Sequence, residues 1–366
     1  MKQVGILTFH CANNFGALLQ AVSLQRTIIS RENGDCELIN YRPEFIRKDY
    51  SPSPFKSMRP KEILSGTLRI PDKVRRNLKF NDFRKKYTIC TKAARSEKAF
   101  RQECNRFDRI IVGSDQVWNY RLTEQDLRYF LPNLEGHVRK LAYGASIGDA
   151  DFSGEQAKEV LEYLRDFQSI SVRESSSGMV LAQALGREDI ACVLDPVFLT
   201  PRDAWLNLAA QSSQKQDYIL FFKMGYSKTA DPALEFARRM SRETGCRLYM
   251  LWDQETWFKY RDVRHVGAVG PAEFLQWVRD ARCVITNSFH AAAFSIILNI
   301  PFYVETEIER KDRILNILEL FGLEDRGLCR GCLQSNADSG IDWDRVNTRL
   351  DAERQKSLEY LDTLLK

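Results

Sequence analysis

Residues Arg282 to Leu298 read as a strand, a tight polar turn and a buried helix, and this unit restricts the fold more than any other stretch. Cys283 to Ile285 is a short apolar run without alternation, as expected of a parallel strand covered on both faces. Thr286, Asn287 and Ser288 then break it, and such residues favour helix starts. A run of small and apolar residues follows, with His290 in the first helical turn. The first backbone N–H groups of a helix have no internal partner, and its N-terminus carries partial positive charge. That makes an anion pocket at the carboxyl end of a strand, where open α/β sheets bind ligands. A histidine there can bind an anion or move a proton. The rival reading packs the imidazole among Phe289, Phe294 and the alanines, where it merely satisfies a carbonyl.

The same alternation runs along the chain. Val4–Thr8 reads as strand one, followed by the polar turn Phe9 to Gly16 and a helical repeat of Leu18, Ala21, Val22, Gln25, Ile28 and Ile29. Glu37–Tyr41 is a second strand, so the chain opens as a βαβ unit. The first turn lacks a G-x-G-x-x-G pattern, which counts against a dinucleotide. Further strands are expected at Phe107–Gly113, Lys140–Ser146, Ser169–Val172 and Ala191–Leu194, with helices over 154–165 and from Ser175 to about Leu185. A tract of linker composition, Gln211 to Asp217, precedes a second alternation. It has strands at Tyr218–Phe222, Arg247–Leu251 and Pro301–Glu305, and helices over 232–243, 271–280 and 311–321.

The expected fold is therefore α/β, with two Rossmann-like doubly wound domains facing a cleft. The expected boundaries are 1–200 and 201–340, with 341–366 a terminal helix packing back across the seam. A length of 366 residues fits that plan. Residues 44–106 stand apart as a basic helical insertion. Within 48–106 there are 17 Lys or Arg against 6 Asp or Glu, which reads either as a solvated face or as a surface for a polyanion or membrane. The whole-chain net charge of +5 does not imply nucleic acid. No apolar run reaches membrane-spanning length, and the N-terminal apolar segment is too short for a signal peptide. Nine scattered cysteines argue for free thiols in a reducing cytoplasm. Cys329 and Cys332 have metal or redox spacing, but a structural zinc would need two more ligands. Four histidines make a multi-histidine metal site unexpected.

Six segments in order carry a family likeness: Gly5 to His10 with Asn13 to Ala17; Val112-Gly-Ser-Asp-Gln-Val-Trp-Asn119; Tyr143 to Gly148; Ser171-Val-Arg-Glu174; Leu194-Asp-Pro196; and Thr286 to Ala291. Together they resemble the polysaccharide pyruvyl transferase family, from strand one to about Arg326. The resemblance implies a fold like the GT-B glycosyltransferases. It implies transfer of the pyruvyl group of phosphoenolpyruvate to two hydroxyls of a sugar in a cell-surface or exopolysaccharide precursor, giving a cyclic pyruvate ketal and phosphate. It also implies that Arg173 and His290 belong to the donor site.

The residue types suit that chemistry. Phosphoenolpyruvate is a small carboxylate and phosphate, held by Arg forks and helix N-termini. Arg173 would supply the fork, and Asn287, Ser288 and Phe289 would line the pocket at the turn. The reaction needs a proton for the methylene carbon, a base for each hydroxyl and charge stabilisation on the departing phosphate. Asp115 is placed to take a hydroxyl proton, with Gln116 and Trp118 beside it. His10 and Asn14 would line the cleft from the first loop, unless His10 packs on Phe9. Asp115 could instead cap a turn, and Arg173 with Glu174 could be a surface ion pair. Family members can carry Arg two residues before the His, where this chain has Ser288. The second cation must then come from elsewhere, with Arg313 and Lys223 the candidates, or the donor is held less tightly.

No cofactor and no metal are expected, only phosphoenolpyruvate as donor substrate. The acceptor would be a sugar or a lipid-linked oligosaccharide, used in the cytoplasm or at the inner membrane face through a peripheral contact. Two other functions compete. A GT-B glycosyltransferase using a nucleotide sugar would need a carboxylate on the ribose; no motif marks one, though Glu305 and Glu307 stand near a strand end. Ser288 also leaves room for a non-catalytic glycan-binding protein.

Overall fold

Short apolar runs become the inner strands of two parallel sheets because both faces of each strand are covered. The chain is described by a computed structural model over residues 3–32, 35–49, 70–152, 154, 157–211, 217–224, 232–251, 263–306, 312–329 and 340–366. It divides into two units. The first takes Met1–Ser51, Arg84–Thr200 and Asp351–Lys366, and the second takes the described part of Pro52–Phe83 together with Pro201–Leu350. The division falls inside two helices, Ile70–Tyr87 and Trp343–Leu365.

The first unit has strands β1 (Val4–Leu7), β2 (Cys36–Leu38), β3 (Arg109–Val112), β4 (Arg139–Ala145), β5 (Ser169–Val172) and β6 (Ala191–Cys192). All pair in parallel in the order β2-β1-β3-β4-β5-β6. Strand periodicity sends Ile110 and Val112 to one face and Ile111 to the other. Each joins a different apolar cluster. Leu361, Leu364 and Leu365 of the terminal helix complete the Ile111 side. Arg109, itself buried, donates to the carbonyls of Leu364 and Leu365, so a cation meets the carboxyl end of that helix.

The second unit has β7 (Tyr218–Phe222), β8 (Arg247–Leu251), β9 (Arg264–Val266), β10 (Cys283–Thr286), β11 (Phe302–Glu305) and β12 (Gly327–Leu328). Their order is β12-β11-β10-β7-β8-β9, again all parallel. The helix Phe289–Leu298 is buried apart from His290, which is half-buried. Trp205 and Phe274 meet Phe294 edge-on at 5.0 and 5.9 Å between ring centroids. Trp205 belongs to a helix, Arg202–Leu208, that lies before the tract of linker composition and is not among the expected elements.

The expected α/β class with two doubly wound Rossmann-like halves is what the structure shows. The basic segment differs from a free-standing insertion. Its described residues form helices Glu44–Asp49, Ile70–Tyr87 and Glu97–Cys104, while 50–69 lie outside the described residues. Leu38 donates to Ile89, Thr91 to Leu38 and Ala94 to Asn40, so residues 89–94 run along the end of β2 as an added edge. Of the segment's described residues, 70–83 fall in the second unit and the rest in the first. Seven cysteines are free thiols, but Cys329 is disulfide-bonded, which corrects the expectation of free thiols throughout. Cys332 lies outside the described residues. Among the described residues, no helix is long and apolar enough to cross a membrane.

Candidate active site

In an open parallel sheet, ligands bind beyond the carboxyl ends of the strands where the strand order reverses. In the first unit that point lies between β1 and β3. The loops leaving these strands are tied together there. Thr8 Oγ1 donates to the Ser114 carbonyl at 2.9 Å, and Gln20 Nε2 donates to Thr8 Oγ1 at 2.7 Å. Gly113 has φ +121°, and a Cβ on it would stand 2.3 Å from the Tyr143 carbonyl oxygen. Only glycine lets β3 turn this close to β4. The next loop residue but one is Asp115, itself at φ +80°. Its carboxylate Oδ1 accepts from Gln116 N–H at 2.9 Å and from Arg173 Nη2 at 3.2 Å. Its side chain is 16% exposed. One oxygen is thus held by two donors, and no such bond engages Oδ2 among the described residues.

Arg173, at the end of β5, does not present an open fork. Its side chain is 1% exposed and meets three carboxylates: Asp195 at 2.7 Å, Glu174 at 2.9 Å and Asp115 at 3.2 Å. Burial opposes its charge, but Glu174, Asp115 and Asp195 outweigh that and raise its pKa. The sequence reading assigns this guanidinium to a donor anion. The structure instead makes it the countercharge that fixes Asp115, so the reading of Arg173 and Glu174 as a surface pair also fails. Asp195 carries more than a strand end would suggest. Its Oδ1 accepts from Val197 N–H, and its Oδ2 lies 3.2 Å from Ser114 Oγ.

The other residues expected at this loop are used inside the fold. Trp118 is fully buried, donates its indole N–H to the Tyr129 carbonyl at 3.1 Å and stacks on Phe130. It is a core residue. Gln116 Oε1 accepts from Asn119 Nδ2 at 3.1 Å. Asn14 Oδ1 accepts from Ala17 N–H at 3.2 Å, which caps the helix Phe15–Glu32. Arg84, with no motif to mark it, organises the first loop by donating to the carbonyls of His10 and Cys11 at 3.1 and 3.0 Å.

His10 is buried, and its Nδ1–H donates to the Thr8 carbonyl at 3.2 Å. Its Nε2 has no hydrogen-bond partner. The Asn40 amide is near enough to favour the charged ring, though not placed to bond it. Burial dominates and lowers the pKa to about 4; the Thr8 bond opposes this, and Arg84 and Arg42 add to it. A histidine lowered in the folded state stabilises the fold fully above its ordinary pKa, and this is lost as pH falls from about 6.5 toward 4. Acidifying from about pH 7 to about pH 5 should therefore cost roughly 2 kcal/mol through this ring. In urea unfolding, His10→Asn should lose that much less on acidification than the unsubstituted chain. Equal losses would mean that His10 titrates normally.

In the second unit the strand order reverses between β7 and β10, where the opening strand–turn–helix unit sits. Asn287 ties the two strand ends together: Met224 N–H donates to its Oδ1 at 2.7 Å, and its Nδ2 donates to the Met224 carbonyl at 2.9 Å. Ser288 is the N-cap residue of the helix Phe289–Leu298, but its side chain makes no capping bond. Instead its N–H donates to Thr286 Oγ1 at 2.9 Å. The Ser288 side chain thus gives no cap to this helix of 10 residues. The imidazole of His290 lies edge-on to Phe289, with centroids 5.1 Å apart. Arg313 lies over the other expected contact, with its Cζ 5.8 Å from the Phe289 ring centroid. Lys223, the alternative second cation, pairs with Glu305 at 3.3 Å. Among the described residues, no group of three or more His, Cys, Asp or Glu could hold a metal.

Two doubly wound parallel units with their loops at the reversal points define the GT-B class. Solved structures of that fold match over almost the whole chain. A UDP-GlcNAc 2-epimerase from Methanocaldococcus jannaschii, in complex with UDP-GlcNAc and UDP, matches with a TM-score of 0.51 and 12% identity, covering 100% of this chain and 99% of its own. The MnaA–UDP structure from S. aureus matches with a TM-score of 0.54 and 10% identity, over 96% of this chain and 90% of its own. An alpha-glucosyltransferase with UDP-glucose and DNA matches at 0.50 and 10% identity, over 98% and 95%. At these identities the likeness is one of fold. Comparison with curated proteins finds no match. The model of the polysaccharide pyruvyl transferase family matches residues 14–306, and the chain belongs to that family of transferases.

Proposed function

We propose that the chain moves the pyruvyl group of phosphoenolpyruvate onto two hydroxyls of one sugar in a polysaccharide precursor, leaving a cyclic ketal and phosphate. Asp115 carries this reading, being a carboxylate at a reversal point with one oxygen clamped and the other open to a hydroxyl.

The steps balance as follows. A proton adds to the methylene carbon of the donor, and the first sugar hydroxyl adds to the adjacent carbon while losing its own proton. The second hydroxyl displaces phosphate from that carbon and loses its proton as the C–O bond to phosphate breaks. Of the two hydroxyl protons, one replaces that given to the methylene carbon and one leaves with phosphate. Asp115 takes a hydroxyl proton. The N-terminus of the helix that begins at Phe289 receives the donor phosphate, and the His290 ring clamps or protonates it. Arg173 is a positioning residue for Asp115.

The test supplies phosphoenolpyruvate and a panel of glycosides and follows phosphate release together with mass gain on the sugar. Phosphate without mass gain, or neither, removes the proposal. Asp115→Asn keeps an oxygen for Gln116 N–H, and Asn tolerates positive φ. It should fold normally and lose about a hundredfold or more in turnover. Turnover within threefold of the unsubstituted chain would clear Asp115 of that role.

A further inference from the structure

A cavity of about 550 Å³ in the first unit is lined by Asn40, Arg42, Ala93, Ala94, Arg47 and Arg95. Among the described residues, every charged one in that lining is an arginine. Several arginines of this unit are matched by acids: Arg101 with Glu97, Arg106 with Glu37 and Glu103, Arg128 with Glu97 and Asp126. Among the described residues no carboxylate pairs with Arg42, Arg47 or Arg95, and Arg42 donates instead to Asn40 Oδ1 at 3.0 Å. Three guanidinium groups lining one cavity, none of them ion-paired among the described residues, favour an anion there. The same arginines also line a cavity of about 660 Å³ whose lining includes Glu44, Glu97, Glu124 and Asp126, and of these Glu97 and Asp126 pair with Arg101 and Arg128.

The position matters as much as the charge. Asn40 and Arg42 follow β2, and Arg47 is on the next helix. Arg95 follows the edge formed by residues 89–94. Because the sheet is parallel throughout, the cavity lies at the same end as Asp115, which follows β3. β2 and β3 are two strand spacings apart, about 10 Å. That is about the reach of one phosphorylated hexose. Arg42 also acts on the His10 ring, so the charge of the cavity extends to the loop at the reversal point.

We infer that this cavity binds the phosphate or diphosphate ester of the acceptor, so that the acceptor is a glycosyl phosphate whose sugar hydroxyls lie toward Asp115. The inference rests on the reading of Asp115 as the acceptor's base. Guanidinium forks suit phosphate oxygens through paired N–H donors. Binding is read without phosphoenolpyruvate, so a failure of the transfer reaction leaves it measurable.

Calorimetric titration of the whole chain with inorganic pyrophosphate and with a soluble glycosyl 1-phosphate should show both binding. The double variant Arg47→Ala/Arg95→Ala removes two exposed side chains and should weaken each at least tenfold. Lys92→Ala, an exposed neighbour outside the lining, should weaken neither. An unchanged affinity in the double variant overturns the inference, as does an equal loss in Lys92→Ala. Vesicles containing phosphatidylglycerol form the third arm. If they bind through Arg47 and Arg95 while the soluble phosphates do not, the patch faces a membrane and the inference fails.

Discussion

Arg173→Met should destabilise the first unit by about 3–5 kcal/mol, the cost of removing one partner from a buried charge cluster. Methionine fills much of the volume but leaves Asp115, Glu174 and Asp195 facing one another. Arg173→Lys should recover only part of the loss, since one ammonium cannot reach three carboxylates from the positions of Nε, Nη1 and Nη2. Acid gives the sign of the effect. Without the guanidinium the carboxylates hold protons more readily in the folded chain than in the unfolded one. A carboxyl group raised in this way stabilises the fold at low pH and loses that contribution as pH rises. The deficit of Arg173→Met should therefore shrink on acidification. Adding Asp195→Asn should restore part of the stability, because the two substitutions remove opposite members of one pair. Denaturant unfolding at two pH values reads all of this. A deficit below about 1 kcal/mol, or one that grows in acid, would show that Arg173 is not the countercharge.

Much of the fold is legible because parallel strands covered on both faces are written as unbroken apolar runs. Val4–Leu7, Arg109–Val112 and Tyr218–Phe222 announce themselves in this way. Edge strands do not. Arg264–Val266 and Gly327–Leu328 are too short and too polar to show a period. Strand order is hidden as well, because parallel neighbours are joined by long crossovers and carry no local mark. The turns after β1, β3 and β10 can therefore be read as ligand loops, but their place at the reversals of the sheets comes from the structure. The partners of Arg173 illustrate the same limit. Glu174 is adjacent in sequence, whereas Asp115 and Asp195 are 58 and 22 residues away. Trp118 shows the converse. An indole beside a polar loop reads as a binding face, but the Tyr129 carbonyl that satisfies it is 11 residues off and invisible in the pattern. The charge excess of 48–106 is legible, yet tertiary contacts alone tell which of its arginines pair with acids, as Arg101 and Arg106 do, which bond carbonyls, as Arg84 does, and which line a cavity, as Arg95 does.

Replacing His290 by alanine should abolish turnover, a loss of about 10⁴-fold, while the fold remains. Alanine is the strongest helix former, and residues Ala291, Ala292 and Ala293 already continue this helix, so the backbone N–H groups stay where they are. Only the ring is lost. A phosphate dianion arriving beside that ring favours proton uptake. Donor binding should thus draw a proton onto His290, which then clamps the phosphate or passes the proton on. Calorimetry of phosphoenolpyruvate binding in two buffers of different ionisation enthalpy would register that uptake, and His290→Ala should erase it. His290→Gln separates the roles: it can donate a hydrogen bond to phosphate but cannot carry a proton. If the clamp is what matters, glutamine should recover donor affinity and some turnover. If the proton matters, affinity returns without turnover. Near-normal turnover in His290→Ala, with unchanged proton uptake on donor binding, would remove the ring from the mechanism and leave the helix N-terminus to hold the donor alone.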